Sequence, residues 1–109
     1  MNKYKNNKVE YDGIIFDSQK EAQRYAKLKL LERVGKIKDL KRQVPFTLIP
    51  KILDQNGKVI QRACKYYADF VYTLNGKLVV EDVKGVRTQV YKIKKKLMLY
   101  QHNIIIKEI

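Results

Sequence analysis

The sequence predicts one α/β domain over residues 1–109, on three observations. Asp12-Gly13, Asn56-Gly57 and Asn75-Gly76 each separate two strand-like runs, as hairpin turns do. Two longer stretches lack Gly and Pro and begin at residues that cap helices. A chain of 109 residues that is 45% hydrophobic makes one compact domain and is too short for two independent cores.

The elements follow in order. Val9–Tyr11 and Ile14–Phe16 flank Asp12-Gly13 as an N-terminal β-hairpin. A helix is predicted over Gln19–Val34, with Ser18 and Glu21 at capping-box spacing and Gly35 as C-terminal cap. Its apolar residues are widely spread, so length and caps define it rather than a clean stripe. Leu48–Leu53 pairs with Val59–Ile60 about Asn56-Gly57, and Tyr66–Leu74 pairs with Lys77–Lys84 about Asn75-Gly76. Pro45 and Pro50 put the first strand after the helix at an edge or irregular position, because proline cannot donate to a ladder. A second helix runs over Gln89–Gln101 behind Thr88, with Val90, Ile93, Leu97 and Tyr100 as the expected buried stripe. Asn103–Lys107 closes the chain as a strand.

Composition narrows the function. Lys and Arg number 24 against 11 Asp and Glu, a formal net charge of +13, and nucleic acid is the obvious polyanionic partner. No apolar run approaches a membrane span, and residues 1–8 lack the apolar stretch of a secretory signal. The expected location is therefore the cytoplasm. One cysteine, Cys64, and one histidine, His102, exclude an internal disulfide and a thiolate–imidazole zinc cluster, and both read as incidental.

The turn at Asn75-Gly76 carries the chemical argument. If these are the two loop residues, Leu74 faces Lys77, and further along the ladder Val71 faces Val80, Asp69 faces Asp82 and Tyr67 faces Lys84. Alternation then puts Asp69, Asp82 and Lys84 on one face and Glu81 on the other. Two carboxylates about 5 Å apart repel by roughly 3 kcal/mol at an effective dielectric of about 20. That exceeds the ~1 kcal/mol span of strand propensities. A raised carboxyl pKa, Lys84, or a hard cation such as Mg²⁺ relieves it. The plain alternative is a solvated acid pair beside a lysine, but the surrounding strands are strongly apolar and read as central. Glu21 is a further candidate. It either closes the capping box or, on the helix face of Tyr25 and Leu28, points toward the sheet.

Tyr67-Ala68-Asp69-Phe70 followed by Glu81-Asp82-Val83-Lys84-Gly85 resembles the PD-(D/E)XK nuclease superfamily, with an acid on one strand and acid-x-Lys on its hairpin partner. The closest likeness is to small phage-encoded proteins with Phe-Asp-Ser, Ala-Asp-Phe and Glu-Asp-Val-Lys-Gly motifs, and beyond them to junction-resolving phage endonucleases. Ala68 stands where the name-giving proline would be; that proline is structural, and many members lack it. The resemblance implies a restriction-endonuclease-like core of helix, three strands, helix and strand, covering most of the chain. It implies Mg²⁺ (or Mn²⁺) held by Asp69, Asp82, the Val83 carbonyl and Glu21, with Lys84 orienting a water or stabilising phosphoryl charge. Only Asp82 has the acid-x-Lys spacing, so Asp82 rather than Glu81 is the expected ligand.

The basic run after the motif supplies the expected DNA contacts. Arg87, Thr88, Lys92, Lys95 and Lys96 are the candidates, with Thr88 opening a helix N-terminus that suits a phosphate oxygen. Lys20, Arg24 and Lys27 add charge to the first helix. Most such runs are solvated helix faces, but this one directly follows the acid-x-Lys motif. Nothing resembles a base-reading module, so salt-sensitive recognition of backbone or shape is expected. Of the eight tyrosines, Tyr25, Tyr72 and Tyr100 read as core or rim. The leading function is a metal-dependent DNA endonuclease, structure-selective and acting in phage recombination or replication. The alternative is a non-catalytic basic nucleic-acid-binding module with a nuclease-like fold. A third reading is an interaction protein whose charge only aids solubility. Cleaving a junction takes two sites, which makes a homodimer the matching expectation.

Overall fold

The computed structural model describes residues 8–83 and 86–109. Its order is β1 (Val9–Tyr11), β2 (Ile14–Phe16), α1 (Gln19–Arg33), β3 (Lys38–Ile49), β4 (Ile52–Leu53), β5 (Val59–Gln61), β6 (Cys64–Leu74), β7 (Lys77–Asp82), α2 (Gln89–His102) and β8 (Lys107–Glu108). The fold is mixed α/β. A four-stranded sheet runs β3-β6-β7-β8, with β7 and β8 parallel and the other neighbours antiparallel. The β1–β2 hairpin precedes it, and β4–β5 forms a separate two-stranded ribbon. Among the described residues no helix is long and apolar enough to cross a membrane.

Local chemistry explains most boundaries. Asp12-Gly13 and Asn75-Gly76 have positive φ at both residues, which a type I′ turn requires. The Ser18 hydroxyl accepts from the Glu21 N–H at the start of α1. At its end Gly35, at φ 80°, donates to the Glu32 carbonyl and Lys36 to that of Leu31, a Schellman closure. Thr88 caps α2, and Asn103 ends it in the left-handed region.

Three expectations need correction. The first strand after α1 begins at Lys38 rather than Leu48. It lies at the sheet edge, where Pro45 is tolerated. At Asn56-Gly57 positive φ falls on Gly57 alone, and the Asp54 carboxylate accepts from the N–H groups of Asn56 and Lys58. This is a longer Asx-stabilised loop, not a two-residue turn. On α2 the buried residues are Tyr91 and Met98, while Val90, Ile93 and Tyr100 are 62%, 56% and 85% exposed; Leu97 is half-buried against the core. The half-buried Lys94 and Lys95 share the inward side, so the hydrophobic pattern pointed to the wrong face.

The sheet has a core on each side. Under α1 lie Phe16, Ala22, Tyr25, Leu28, Ile37, Phe70 and Tyr72. Under α2 lie Leu48, Tyr66, Ala68, Val71, Val80, Tyr91, Met98 and Ile106. Strict alternation would put Tyr66, Ala68, Phe70 and Tyr72 on one side, yet the first two belong to the α2 core and the last two to the α1 core. Strand β6 changes phase at Asp69. Its neighbour β3 changes at Gln43, whose φ is 50°, so that Leu40 packs toward α1 and Val44 and Phe46 toward α2.

Candidate metal and nucleic-acid site

The β6–β7 register follows the turn as expected: Leu74↔Lys77, Thr73↔Leu78, Tyr72↔Val79, Val71↔Val80 and Phe70↔Glu81. The paired ladder stops there, one step short of Asp69 and Asp82. Where the strands part, Asp69 Oδ2 accepts from the Val83 N–H at 2.8 Å, and Gln43 Nε2 donates to Asp69 Oδ1 at 3.2 Å. The phase change at Gln43 and Asp69 therefore aims an acid at the end of β7.

Asp82 is buried and accepts a 2.7 Å hydrogen bond from the Tyr66 hydroxyl. Burial, reinforced by Asp82, pushes the Tyr66 phenol up, so it stays protonated and donating. Glu21, in the first turn of α1, is also buried, and its Oε1 lies 3.8 Å from Arg42 Nη2. Arg42 in turn stacks over the Phe16 ring, 4.5 Å from its centroid. The Glu21 carboxyl is raised to about 7, first by burial and then by Asp69, Asp17 and Asp82, with Arg42 opposing them. Three acids from a helix and two strands thus share one electrostatic neighbourhood. Among the described residues, however, no three His, Cys, Asp or Glu side chains already form a metal-holding group. Lys84 lies outside the described residues.

Glu81 faces the other way. It is fully buried and accepts from Arg24 Nε at 2.8 Å and Arg24 Nη2 at 2.5 Å, and from the Tyr72 hydroxyl, with Lys107 Nζ at 4.0 Å. Arg24 is thus spent on this pair rather than added to a basic surface. Beyond β7, Glu108 on β8 accepts from the Tyr91 hydroxyl at 2.7 Å and pairs with Arg87 Nε at 3.1 Å and Lys95 Nζ at 3.2 Å. These partners hold its carboxyl down at about 2, Tyr91 contributing most. The Thr88 hydroxyl accepts from the Tyr91 N–H, and Lys92 and Lys96 are exposed.

The chain is a member of the DUF1064 family, proteins of unknown function. The family model matches residues 1–108. No curated protein and no solved structure matches the chain.

Within this DUF1064 chain the sequence reading overlooked Arg42, Gln43, Tyr66, Tyr91 and Glu108. Gln43 had no signal, because a left-handed glutamine inside a strand is uncommon. Glu108 joins through the parallel pairing of Asp82 with Glu108, which no turn announces. Tyr66 was the most accessible, an aromatic opening an apolar strand that also carries a buried-site acid. His102 is structural: its Nε2 lies 2.7 Å from the Thr47 carbonyl and its ring stands edge-on to Phe46.

Proposed function

We propose that the chain is a Mg²⁺-dependent endonuclease that hydrolyses DNA phosphodiesters, selecting branched or junction DNA in phage recombination or replication. The observation that carries this reading is the gathering of buried Glu21 and buried Asp82 with Asp69, which is held at the end of β7 by the Val83 N–H. Such crowding of hard oxygen donors suits a divalent cation. Glu21, Asp69, Asp82 and the Val83 carbonyl would hold it. A cation held there would supply polarisation of a scissile phosphate and acidification of a water. The sheet order, with parallel β7 and β8 and one helix against each core, supports a restriction-endonuclease-like core.

The chain's own residues supply positioning. Tyr66 fixes the Asp82 carboxylate, while Gln43 and the Val83 N–H fix that of Asp69. Arg42, beside Glu21, offers a cation to a phosphate oxygen. Lys84, by the resemblance, orients the attacking water or stabilises phosphoryl charge. Lys92 and Lys96 face solvent for backbone contact, and Glu108 holds Arg87, just before α2, and Lys95, at its middle.

The test is a panel of labelled junction, flap, nicked, single-stranded and duplex DNAs with and without Mg²⁺. The wild type cuts at least one branched substrate, and Asp69→Asn, Asp82→Asn and Lys84→Ala bind it without cutting. Equal cutting by wild type and variants overturns the proposal. The lack of a ready-formed three-residue metal group among the described residues favours the second reading, a non-catalytic nucleic-acid-binding module. That reading requires binding with no cleavage of any substrate in Mg²⁺ or Mn²⁺.

A further inference from the structure

The α1 side of the sheet is packed at one end and bare at the other. Leu40, Phe70 and Tyr72 lie in the α1 core, but β3 and β6 continue past Gln43 and Asp69 with no buried residue on that side. There Val44, Phe46, Tyr66 and Ala68 turn toward α2. Alternation then points Gln43, Pro45, Thr47, Lys65 and Tyr67 the other way, and all five are exposed. Tyr67 pairs directly with Pro45, and Lys65 with Thr47. Tyr67 is 55% exposed, and among the described residues its ring stacks on no other ring and its hydroxyl has no hydrogen-bond partner. Asp69, where the acid cluster begins, is two residues further along β6, about 7 Å away.

We infer that this bare face is a stacking platform for an unpaired base of a DNA strand, with Tyr67 under the base and Lys65 on a backbone phosphate. The assignment rests on the nuclease reading for the choice of DNA, and it names what that site would select in a branched substrate. The composition of the face picks the occupant. A protein partner needs an apolar centre to its contact, whereas Tyr67 is surrounded by Gln43, Thr47 and Lys65, with Pro45 as the other apolar ring. Duplex DNA keeps its bases stacked on one another and offers the ring no face. A single strand offers one per nucleotide, and an aromatic side chain beside a cation is what holds it. Among the described residues Asp69 is the one acid on this part of the two strands, so Lys65 keeps its charge for a phosphate. A strand stacked on Tyr67 is led toward Asp69, which ties a preference for branched DNA to its unpaired segment.

The experiment measures binding without divalent metal, so that no cleavage intervenes. The probes are an oligothymidylate of about ten nucleotides and a blunt duplex of the same length. The chain has no tryptophan, and Tyr67→Trp puts a single reporter on the platform. Its fluorescence is expected to be quenched by the single strand and not by the duplex. Tyr67→Ala lowers single-strand affinity about tenfold, while Tyr67→Phe, which keeps the ring, binds as the wild type does. Duplex affinity and thermal melt are the same in all of these chains. Lys65→Ala flattens the dependence of single-strand affinity on salt, and an unchanged slope overturns the phosphate contact. An unquenched tryptophan overturns the inference, as does a Tyr67→Ala chain that holds the single strand as tightly as the wild type. A chain that stacks single strands and cuts no DNA in Mg²⁺ or Mn²⁺ overturns the nuclease reading and leaves the platform standing.

Discussion

Glu81 and Asp82 are adjacent in the chain and almost equally buried, at 0% and 1% exposure, yet they serve opposite faces of one strand. Toward α1, Glu81 meets a guanidinium through two short hydrogen bonds, with a tyrosine hydroxyl completing its shell. Toward α2, Asp82 accepts from Tyr66 and contributes to the negative field that raises Glu21. Equal burial thus hides different surroundings: Glu81 sits in a shell of guanidinium and phenol, whereas Asp82 adds to the negative field on Glu21.

The largest expected effect comes from unbalancing the neutralised side. Glu81→Ala leaves Arg24 buried beside an empty partner site and should cost about 3–5 kcal/mol in urea unfolding. Glu81→Met combined with Arg24→Met should recover most of that loss, since paired apolar replacement is often neutral. On the other face the outcome inverts. Asp82→Asn should change stability by less than about 1 kcal/mol while lowering Mg²⁺-dependent cleavage by at least about 10²-fold. Comparable losses of stability in both variants would erase the distinction between the faces.

Proton linkage sharpens it further. Because folding raises the Glu21 pKa to about 7 from 4.5, its contribution is fully present below pH 4.5 and is lost as pH rises through 7. Glu21→Gln should remove a loss on the order of 3 kcal/mol between pH 5 and 8 in metal-free buffer. At pH 8 added Mg²⁺ should raise the wild-type melting temperature and leave Asp69→Asn unmoved. The smallest change is expected at Glu108. Its depressed pKa contributes stability that is present above 4.5 and lost as pH falls through about 2. Glu108→Gln should flatten the acid limb of the stability curve and leave the neutral region alone.

The parts of this architecture set by local rules were legible from the residues. Asn75-Gly76 gave the register of β6 on β7, Ser18 and Gly35 bounded α1, and alternation along β7 separated Glu81 from Asp82. Tertiary effects hid the rest. The phase change at Gln43 and Asp69 needs a left-handed residue in mid-strand, which local propensity opposes. The inward side of α2 includes the half-buried Lys94 and Lys95, the latter paired with Glu108, so the polarity pattern misled. The Arg24–Glu81 pair joins residues far apart in sequence and had no local signal at all.

The loop between β6 and β7 has a bearing on how this chain can vary. Losing or gaining one residue at Asn75-Gly76 would slide β7 by one position and turn every side chain on it over. The acid matched to a guanidinium would then sit beneath a phenol, and its neighbour would meet Arg24 with a shorter reach. The two-residue length of that bend is thus a parity lock, while the positive φ of both residues limits which side chains it accepts.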